Sequence, residues 1–336
     1  AVAGAILIEE YKEVDYQIAY CYLGLNDYGP AIMAFRKYLG KHANEKTKKV
    51  NDANIRTGDS YLIIKGKDDL ILSLKYYKNA ISMNMSFVDY CYFQQAQAYM
   101  LLNNYEEQAK SLENLIAKFP DSKYIDEANF NLGETYLVSL KNYDLSIKYF
   151  TEVVEKHKGD LLLVQRAYNG LASAHSKKKD FDKALSYFEN AVALDPRSNY
   201  AFEAIKGHKL ICEFEVGDFQ RHIDFRDNVG LPSMTESAKD TSVFNAAKKF
   251  YLEEEYPTAI KNLKGYLNAF PKALFVTTAN YFLAECYLTL NQMKEALSYY
   301  EKVLALPSGQ FTERSAYYSA KIHFKNEEYT KAINRY

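Results

Sequence analysis

The chain has 336 residues and a formal net charge of −1, from 42 Lys and Arg against 43 Asp and Glu. Hydrophobic residues make up 48% and charged residues 25%, the balance of a folded chain, which excludes disorder; the even charge excludes a basic nucleic-acid footprint. Seven Pro and 14 Gly are too few for an all-β chain of tight turns, and no apolar run approaches the ~20 residues of a spanning helix. The unusual feature is 31 Tyr and 19 Phe with no Trp.

In chain order, Ala1–Ile8 is apolar and reads as the tail of a helix that begins upstream. A pattern then recurs: an aromatic residue or Met, two residues, a small residue or its stand-in, and an apolar residue four further on. It is met at Tyr28-Gly-Pro-Ala31 with Phe35, in degenerate form around Ser73 with Tyr77 and Ala80, and at Tyr105 with Gln108 and Leu112. It continues at Tyr143 with Ser146 and Phe150, Phe181 with Ala184 and Phe188, and weakly at Phe219 with His222. The last copies are Tyr256 with Ala259 and Leu263, Met293 with Ala296 and Tyr300, and Tyr329 with Ala332 and Tyr336. From residue 105 onward the aromatic column advances by 36–38 residues at every step. A fixed period of this length is the signature of a repeat architecture, here of about nine units.

Each unit reads as two helices. The first carries a small residue followed three later by an aromatic or His: Ala19/Tyr22, Gly58/Tyr61, Ala96/Tyr99, Gly133/Tyr136, Ala172/His175, Ala284/Tyr287 and Ala320/His323. The small residue admits a neighbouring helix and the ring fills the gap one turn on. Polar turns such as Asn103-Asn104, Lys141-Asn142 and Lys179-Asp180 separate the helices, and Pro120, Pro196, Pro271 and Pro307 close several units. The organisation is repeats 1–6 over residues 1–225 with the sixth degenerate, a polar joint over 226–242, and repeats 7–9 over 243–336 with the last truncated. Tyr336 falls inside a second helix, so the chain is expected to be part of a longer one.

Chemistry is hard to find. Cys21, Cys91, Cys212 and Cys286 form no C-x-x-C pair and are expected to be buried as small hydrophobes. The histidines 42, 157, 175, 208, 222 and 323 show no metal-ligand spacing on one helix face, and His175 and His323 occupy the repeat's Tyr column. Gly66, in Lys65-Gly66-Lys67, lacks the rest of a phosphate loop and reads as an insertion between two helices. The chain therefore reads as non-enzymatic, with no cofactor and no metal.

The repeat resembles the tetratricopeptide repeat (TPR) family. Its best single copy is Tyr168-Asn-Gly-Leu171-Ala172-Ser-Ala-His175 followed by Phe181, Ala184, Phe188, Ala191 and Pro196. The Trp common early in the family's first helix is missing throughout, and the period exceeds the usual 34. Phe119-Pro-Asp-Ser122 leading to Tyr136, and Phe270-Pro-Lys-Ala273 leading to Tyr287, look like the variant of bacterial envelope TPR proteins, closest to large multi-repeat proteins of the Bacteroidota type. The resemblance implies an all-α, right-handed solenoid of helix-turn-helix repeats whose first helices line a concave groove. In that groove it places the stripe Tyr16, Ile55, Phe93, Phe130, Asn169, Phe244, Tyr281 and Tyr317. One turn earlier stand Glu13, Asp52, Asp89 and Glu127. The aromatic rings would give contact area and the acids would select basic or amide-rich segments.

The expected function is a protein–protein interaction scaffold, periplasmic and outer-membrane-associated, holding components of a secretion or outer-membrane assembly machine as a subunit of a larger envelope complex. Its partners would be proteins or peptide segments, without nucleic acid and without a direct membrane span. The alternatives are a cytoplasmic adaptor and a glycan- or peptidoglycan-binding envelope module. Ala184→Leu is expected to destabilise by overpacking.

Overall fold

A computed structural model describes the backbone of residues 2–156 and 159–335 and the side chains from residue 13 onward, those of 157, 158 and 336 excepted. All regular elements among these residues are helical, and they follow one another as nine successive helix pairs. Tyr336, the last member of the ninth motif, and His157 lie outside the described residues. The chain divides into two compact units, Ala1–Ala174 and His175–Tyr336.

The first unit contains α1 (Val2–Gly24), α2 (Tyr28–Lys41), α3 (Lys48–Ile64), α4 (Lys67–Met83), α5 (Val88–Leu101) and α6 (Tyr105–Lys118). It continues with α7 (Ile125–Glu134), a π-helical turn Thr135–Ser139, α8 (Tyr143–Lys156) and most of α9 (Leu161–Lys177). Local chemistry sets the ends. The Thr47 hydroxyl accepts from the Val50 amide at 3.2 Å and the Asn104 side chain from Glu107 at 3.3 Å, each satisfying a free amide of the first turn. Acids crowd the same turns, Asp68 and Asp69 in α4 and Glu106 and Glu107 in α6, where the helix dipole favours them.

The turn inside each pair has one device. A residue in the left-handed region ends the first helix: Asn26, Lys65, Asn103 and Lys141 here, then Lys179, Gly217, Glu254, Asn291 and Glu327. One such residue per pair marks the repeats independently of the aromatic column. The next amide usually reaches back five residues: Asn104 to the Tyr99 carbonyl at 2.9 Å, Asp180 to His175 at 2.9 Å, Gln292 to Tyr287 at 2.8 Å. This is the 6→1 bond of a Schellman closure. The second pair has no insertion. Lys65 and Gly66 alone link α3 to α4, and Gly66 caps α4.

Side chains follow the expected register. Ala31 and Phe35, Ala184 and Phe188, and Ala296 and Tyr300 are buried. Each fully buried Phe or Leu is worth about 1.5–3 kcal/mol over its exposed state. In four of the pairs the ring of this column stacks on a Tyr of the paired helix: Tyr61 on Tyr76 at 5.8 Å, Tyr136 on Tyr149 at 5.8 Å, His175 on Tyr187 at 5.3 Å, Tyr287 on Tyr299 at 5.6 Å. Gly133 and Gly170 face the same ring, Phe150. A Cβ built on either would lie 2.7 or 2.4 Å from it, so only glycine admits the ring there.

The second unit contains α10 (Phe181–Leu194), α11 (Asn199–Leu210), a π-helical segment Ile211–Val216 and α12 (Gln220–Asn228). After these come α13 (Glu236–Leu252), α14 (Tyr256–Ala269), α15 (Val276–Thr289), α16 (Met293–Leu304), α17 (Thr312–Lys325) and α18 (Tyr329–Ile333). The expected joint at 226–242 contracts to residues 229–235. Its two sides are already helix, and Arg226 holds the loop by donating to the Pro232 carbonyl at 2.6 Å. The Thr235 side chain then caps α13 by accepting from Ala238 at 3.2 Å.

Candidate functional site

The aromatic stripe is mostly inside the fold. Phe93 stacks on Tyr124 at 5.0 Å, Phe244 on Phe275 at 4.4 Å, and Tyr281 on Phe311 at 4.3 Å. Tyr124, Phe275 and Phe311 each stand just ahead of the next repeat's first helix. The stripe residue is therefore clamped by the following repeat. Phe130 is buried too, edge-on to Phe150 at 5.6 Å with the Arg166 guanidinium 4.0 Å above its ring. Ile55 is buried in the core. Tyr16 is half-buried among Tyr20, Phe35 and Tyr38. Tyr317 is 50% exposed and edge-on to Tyr318. An open stripe of eight residues is thus corrected: Phe130, Phe244 and Tyr281 join repeats and do not present their faces to solvent. The stacking partner lies in the loop after the next helix, where repeat spacing alone gave no sign of it.

Three of the four acids also tie repeats together. Glu13 on α1 pairs with Lys49 on α3. Asp52 on α3 accepts from the Tyr16 hydroxyl at 2.8 Å and the Tyr20 hydroxyl at 2.5 Å, both on α1. Asp89 on α5 accepts from the Ser122 hydroxyl at 2.6 Å. Glu127 is exposed in the first turn of α7. Asp89 stands one position out of register with the other three. Tyr90 holds the equivalent place and donates to Asp59 at 2.9 Å.

Asp59 is the node of a longer network. It accepts from Tyr77 of α4 at 2.8 Å and from Tyr90 of α5, and it pairs with Arg56 at 2.9 Å. Arg56 also lies 3.4 Å from Asp52. Polar contacts thus run unbroken from α1 through α3 to α4 and α5. Burial raises the Asp59 carboxyl above its ordinary range, against the hydrogen bonds of Tyr77, Tyr90 and Arg56, which lower it. Burial first, then the Asp59 carboxylate, raises Tyr77 and Tyr90, so these phenols remain protonated donors. The motif recurs: Glu113 accepts from Tyr136 at 2.8 Å and Tyr149 at 3.1 Å, and in the second unit Asp240 accepts from Tyr266 at 2.6 Å and Glu285 from Tyr300. Burial helps push Tyr136 up to about 12. Hydrogen bonds to charged groups contribute roughly 1.5–3 kcal/mol each. The excess of Tyr over Phe is explained by this second use of the ring.

What remains open is a set that sequence reasoning passed over. Ile63 and Ile64 at the end of α3, Met100 and Leu101 at the end of α5, and Val138 in the π turn after α7 are all exposed. In the second unit Leu252, Leu290 and Phe324 hold the same place at the ends of α13, α15 and α17. Each follows the repeat's small residue by four to six positions. An apolar residue just before a polar turn, where packing does not require one, is the signal that could have found them.

The histidines of the Tyr column pack as expected. His175 Nδ1 lies 3.1 Å from Asp180 and His323 Nδ1 2.5 Å from Glu328. His208 and His222, read separately in the sequence, meet at 3.1 Å. Cys91, Cys212 and Cys286 are buried, and burial pushes each thiol up to about 12, but Cys21 is exposed, contrary to expectation. Among the described residues, no group of three or more His, Cys, Asp or Glu is arranged to hold a metal ion, and no helix is long and apolar enough to cross a membrane.

Models of the tetratricopeptide repeat match residues 13–44, 90–122, 126–155, 166–198 and 277–310, each spanning most of one helix pair. The chain carries tetratricopeptide repeats. TPR arrays are generally non-catalytic scaffolds for protein–protein interaction. No curated protein matches the chain. Among solved structures it is similar to a tetratricopeptide repeat protein from Parabacteroides merdae, with 13% identity over 96% of this chain and 99% of that one, at a TM-score of 0.48. It is also similar to the C-terminal part of a TPR repeat-containing protein from Cytophaga hutchinsonii (16% identity, 89% of this chain, 98% of that one, TM-score 0.46). A third is YrrB, described as a TPR protein with an unusual peptide-binding site (18% identity, 60% and 97%, TM-score 0.47).

Proposed function

We propose that this chain is a non-enzymatic scaffold that holds protein components of a bacterial envelope machine, at the periplasmic side of the outer membrane. The observation that carries the binding role is the exposed apolar series Ile63, Ile64, Met100, Leu101 and Val138, one group per successive TPR of the first unit. Side chains repeating once per TPR suit an elongated partner that offers an apolar residue at each step. Lys49, Asp52 and Arg56 supply polar contacts on the same helices but are already engaged with one another or with Glu13 and tyrosines. Apolar contact therefore leads in recognition, and charge has the smaller part. The envelope location rests on the Phe119-Pro-Asp-Ser122 and Phe270-Pro-Lys-Ala273 segments.

The test is in-cell cross-linking of the tagged protein with mass spectrometry, beside a strain carrying Ile63→Ser, Met100→Ser and Val138→Ser. These exposed positions leave the core intact. Recovery of secretion or outer-membrane assembly components that vanish in the triple variant supports both function and surface. Partners that persist in the variant reject the surface. Recovery of cytoplasmic proteins alone, with the protein absent from the membrane fraction, rejects the location.

A further inference from the structure

The sixth repeat departs from its neighbours in a way that the scaffold role does not require. It has His222 where other copies place Ala, Ser or Gln, and a π-helical segment inside its first helix. His208 and His222 are fully buried, from α11 and α12, with their Nδ1 atoms 3.1 Å apart. On its other edge His208 Nε2 lies 3.3 Å from the Glu189 carboxylate of α10, whose side chain is about half exposed.

This geometry fixes the protons. A carboxylate only accepts, so His208 Nε2 carries a hydrogen and donates to Glu189. The imidazole is neutral in the interior, so its Nδ1 is a lone-pair acceptor. His222 must then donate from its own Nδ1, and the Cys212 thiol, 3.5 Å from His208 Nδ1, is a second donor to it. The space between the rings holds one proton. A further proton on His208 Nδ1 would confront the N–H of His222 and the thiol. The aromatic surroundings give no outlet: Phe225 stacks on His208 at 4.3 Å and Phe219 lies against His222 at 5.3 Å.

The charged groups around the pair are these. α10 offers Glu189, and Asp182, which is engaged by Arg221 at 2.7 Å. α11 offers Lys209, paired with Glu213 of the π segment at 3.6 Å. α12 offers Arg221 and Arg226, and the turn before it Asp218. α13 approaches with Asn245, which donates to Glu213 at 2.7 Å. Of the carboxylates only Glu189 touches either ring. Burial, then the like charge of the other histidine and Arg221, lowers His208 to about 3; burial, then Arg226 and Lys209, lowers His222 to about 4.

We propose that the His208–His222 pair makes the sixth repeat an acid-opened joint: below neutral pH its α11–α12 hairpin opens before the other repeats do. The open hairpin hydrates both rings and lets each take a proton at the ordinary histidine value near 6.5. Opening is therefore favoured as pH falls below that value, and the closed form is fully stable above it. The open route begins at Glu189, the solvent-facing end of the hydrogen-bonded line. A partner bound across this repeat would be released, or a new one admitted, on acidification.

Native-state hydrogen exchange of the whole chain, read peptide by peptide at pH 7.0 and 5.5 and corrected for intrinsic rates, tests this. Two histidines titrating only in the open state give roughly a 70-fold rise in opening of residues 199–228, with little change over 48–118. An equal rise in both regions, or none, overturns the proposal. His222→Gln keeps a hydrogen-bonding side chain and should reduce the rise to roughly 8-fold. Should that variant fail to fold, imidazole Cε1–H shifts in the unmodified chain decide. Two histidine resonances that stay neutral down to pH 5 support the joint, and ordinary titration of all described histidines near 6.5 rejects it.

Discussion

Two regions of the same repeat solve one problem with different chemistry. The second and third repeats bury their polar hydrogen bonds around carboxylates, Asp52 and Asp59, which accept from tyrosines on the helices about them. The sixth buries a bond between two neutral histidines. A phenol donating to a carboxylate stays a donor over the whole range in which proteins work. An imidazole pair holds its arrangement only while both rings remain uncharged. The difference teaches that a helix pair can keep its shape while changing what will unfasten it.

The largest expected effect tests the node. Asp59→Ala leaves the buried Tyr77 phenol and the half-buried Tyr90 phenol without their acceptor and Arg56 with Asp52 alone, and should lower the stability seen in urea unfolding by roughly 2–4 kcal/mol. Asp89→Ala, which loses one hydroxyl bond, should cost roughly 0.5–1.5 kcal/mol. Equal losses would deny Asp59 its central place.

Acid is the next lever. From pH 7 to 5.5 the sixth repeat should lose about 2.5 kcal/mol of local stability, because its histidines bind protons more readily when unfolded. Asp59 behaves oppositely. Its folded carboxyl is raised, so the folded state takes up a proton before the unfolded state does, and acidification toward pH 5 withdraws nothing through that group. Urea unfolding monitored by exchange in each region separates the two trends.

Packing comes third. Gly170→Ala presses a methyl on Phe150 and should cost about 1–3 kcal/mol, as should Ala184→Leu, whose site is fully buried. Gly40→Ala, in α2 with nothing near its added carbon, should instead stabilise by about 0.5–1 kcal/mol. Thermal unfolding of the three variants checks both signs. If Gly170→Ala is harmless, the close contact with Phe150 is mistaken.

Much of this was legible in the sequence. The period, the Ala and Gly positions and the aromatic column are local or evenly spaced features, and the helix pairs keep them. What could not be read depended on partners a repeat or a turn away. Asp52 looks like a groove acid until Tyr16 and Tyr20 of the preceding repeat are placed on it. Phe244 and Tyr281 look like open rings until Phe275 and Phe311 cover them. His208 and His222, fourteen residues apart, meet because the hairpin folds one onto the other. The Lys65-Gly66 link looked like an insertion because sequence gives no view of how tightly a left-handed residue closes a turn.

The polar line from α1 to α5 also has a mechanical meaning. Tyr16 and Tyr20, Asp52, Arg56, Asp59 and Tyr90 are connected in series, each on the next helix or the next turn. In a repeat array every element touches chiefly its neighbours, so a load passes from one helix to the next through links such as these. Tension applied at α1 would be shared between the Asp52 and Asp59 bonds and the apolar packing of the same helices. Side chains that look like local fasteners thus help set the length over which this stretch responds as one rod.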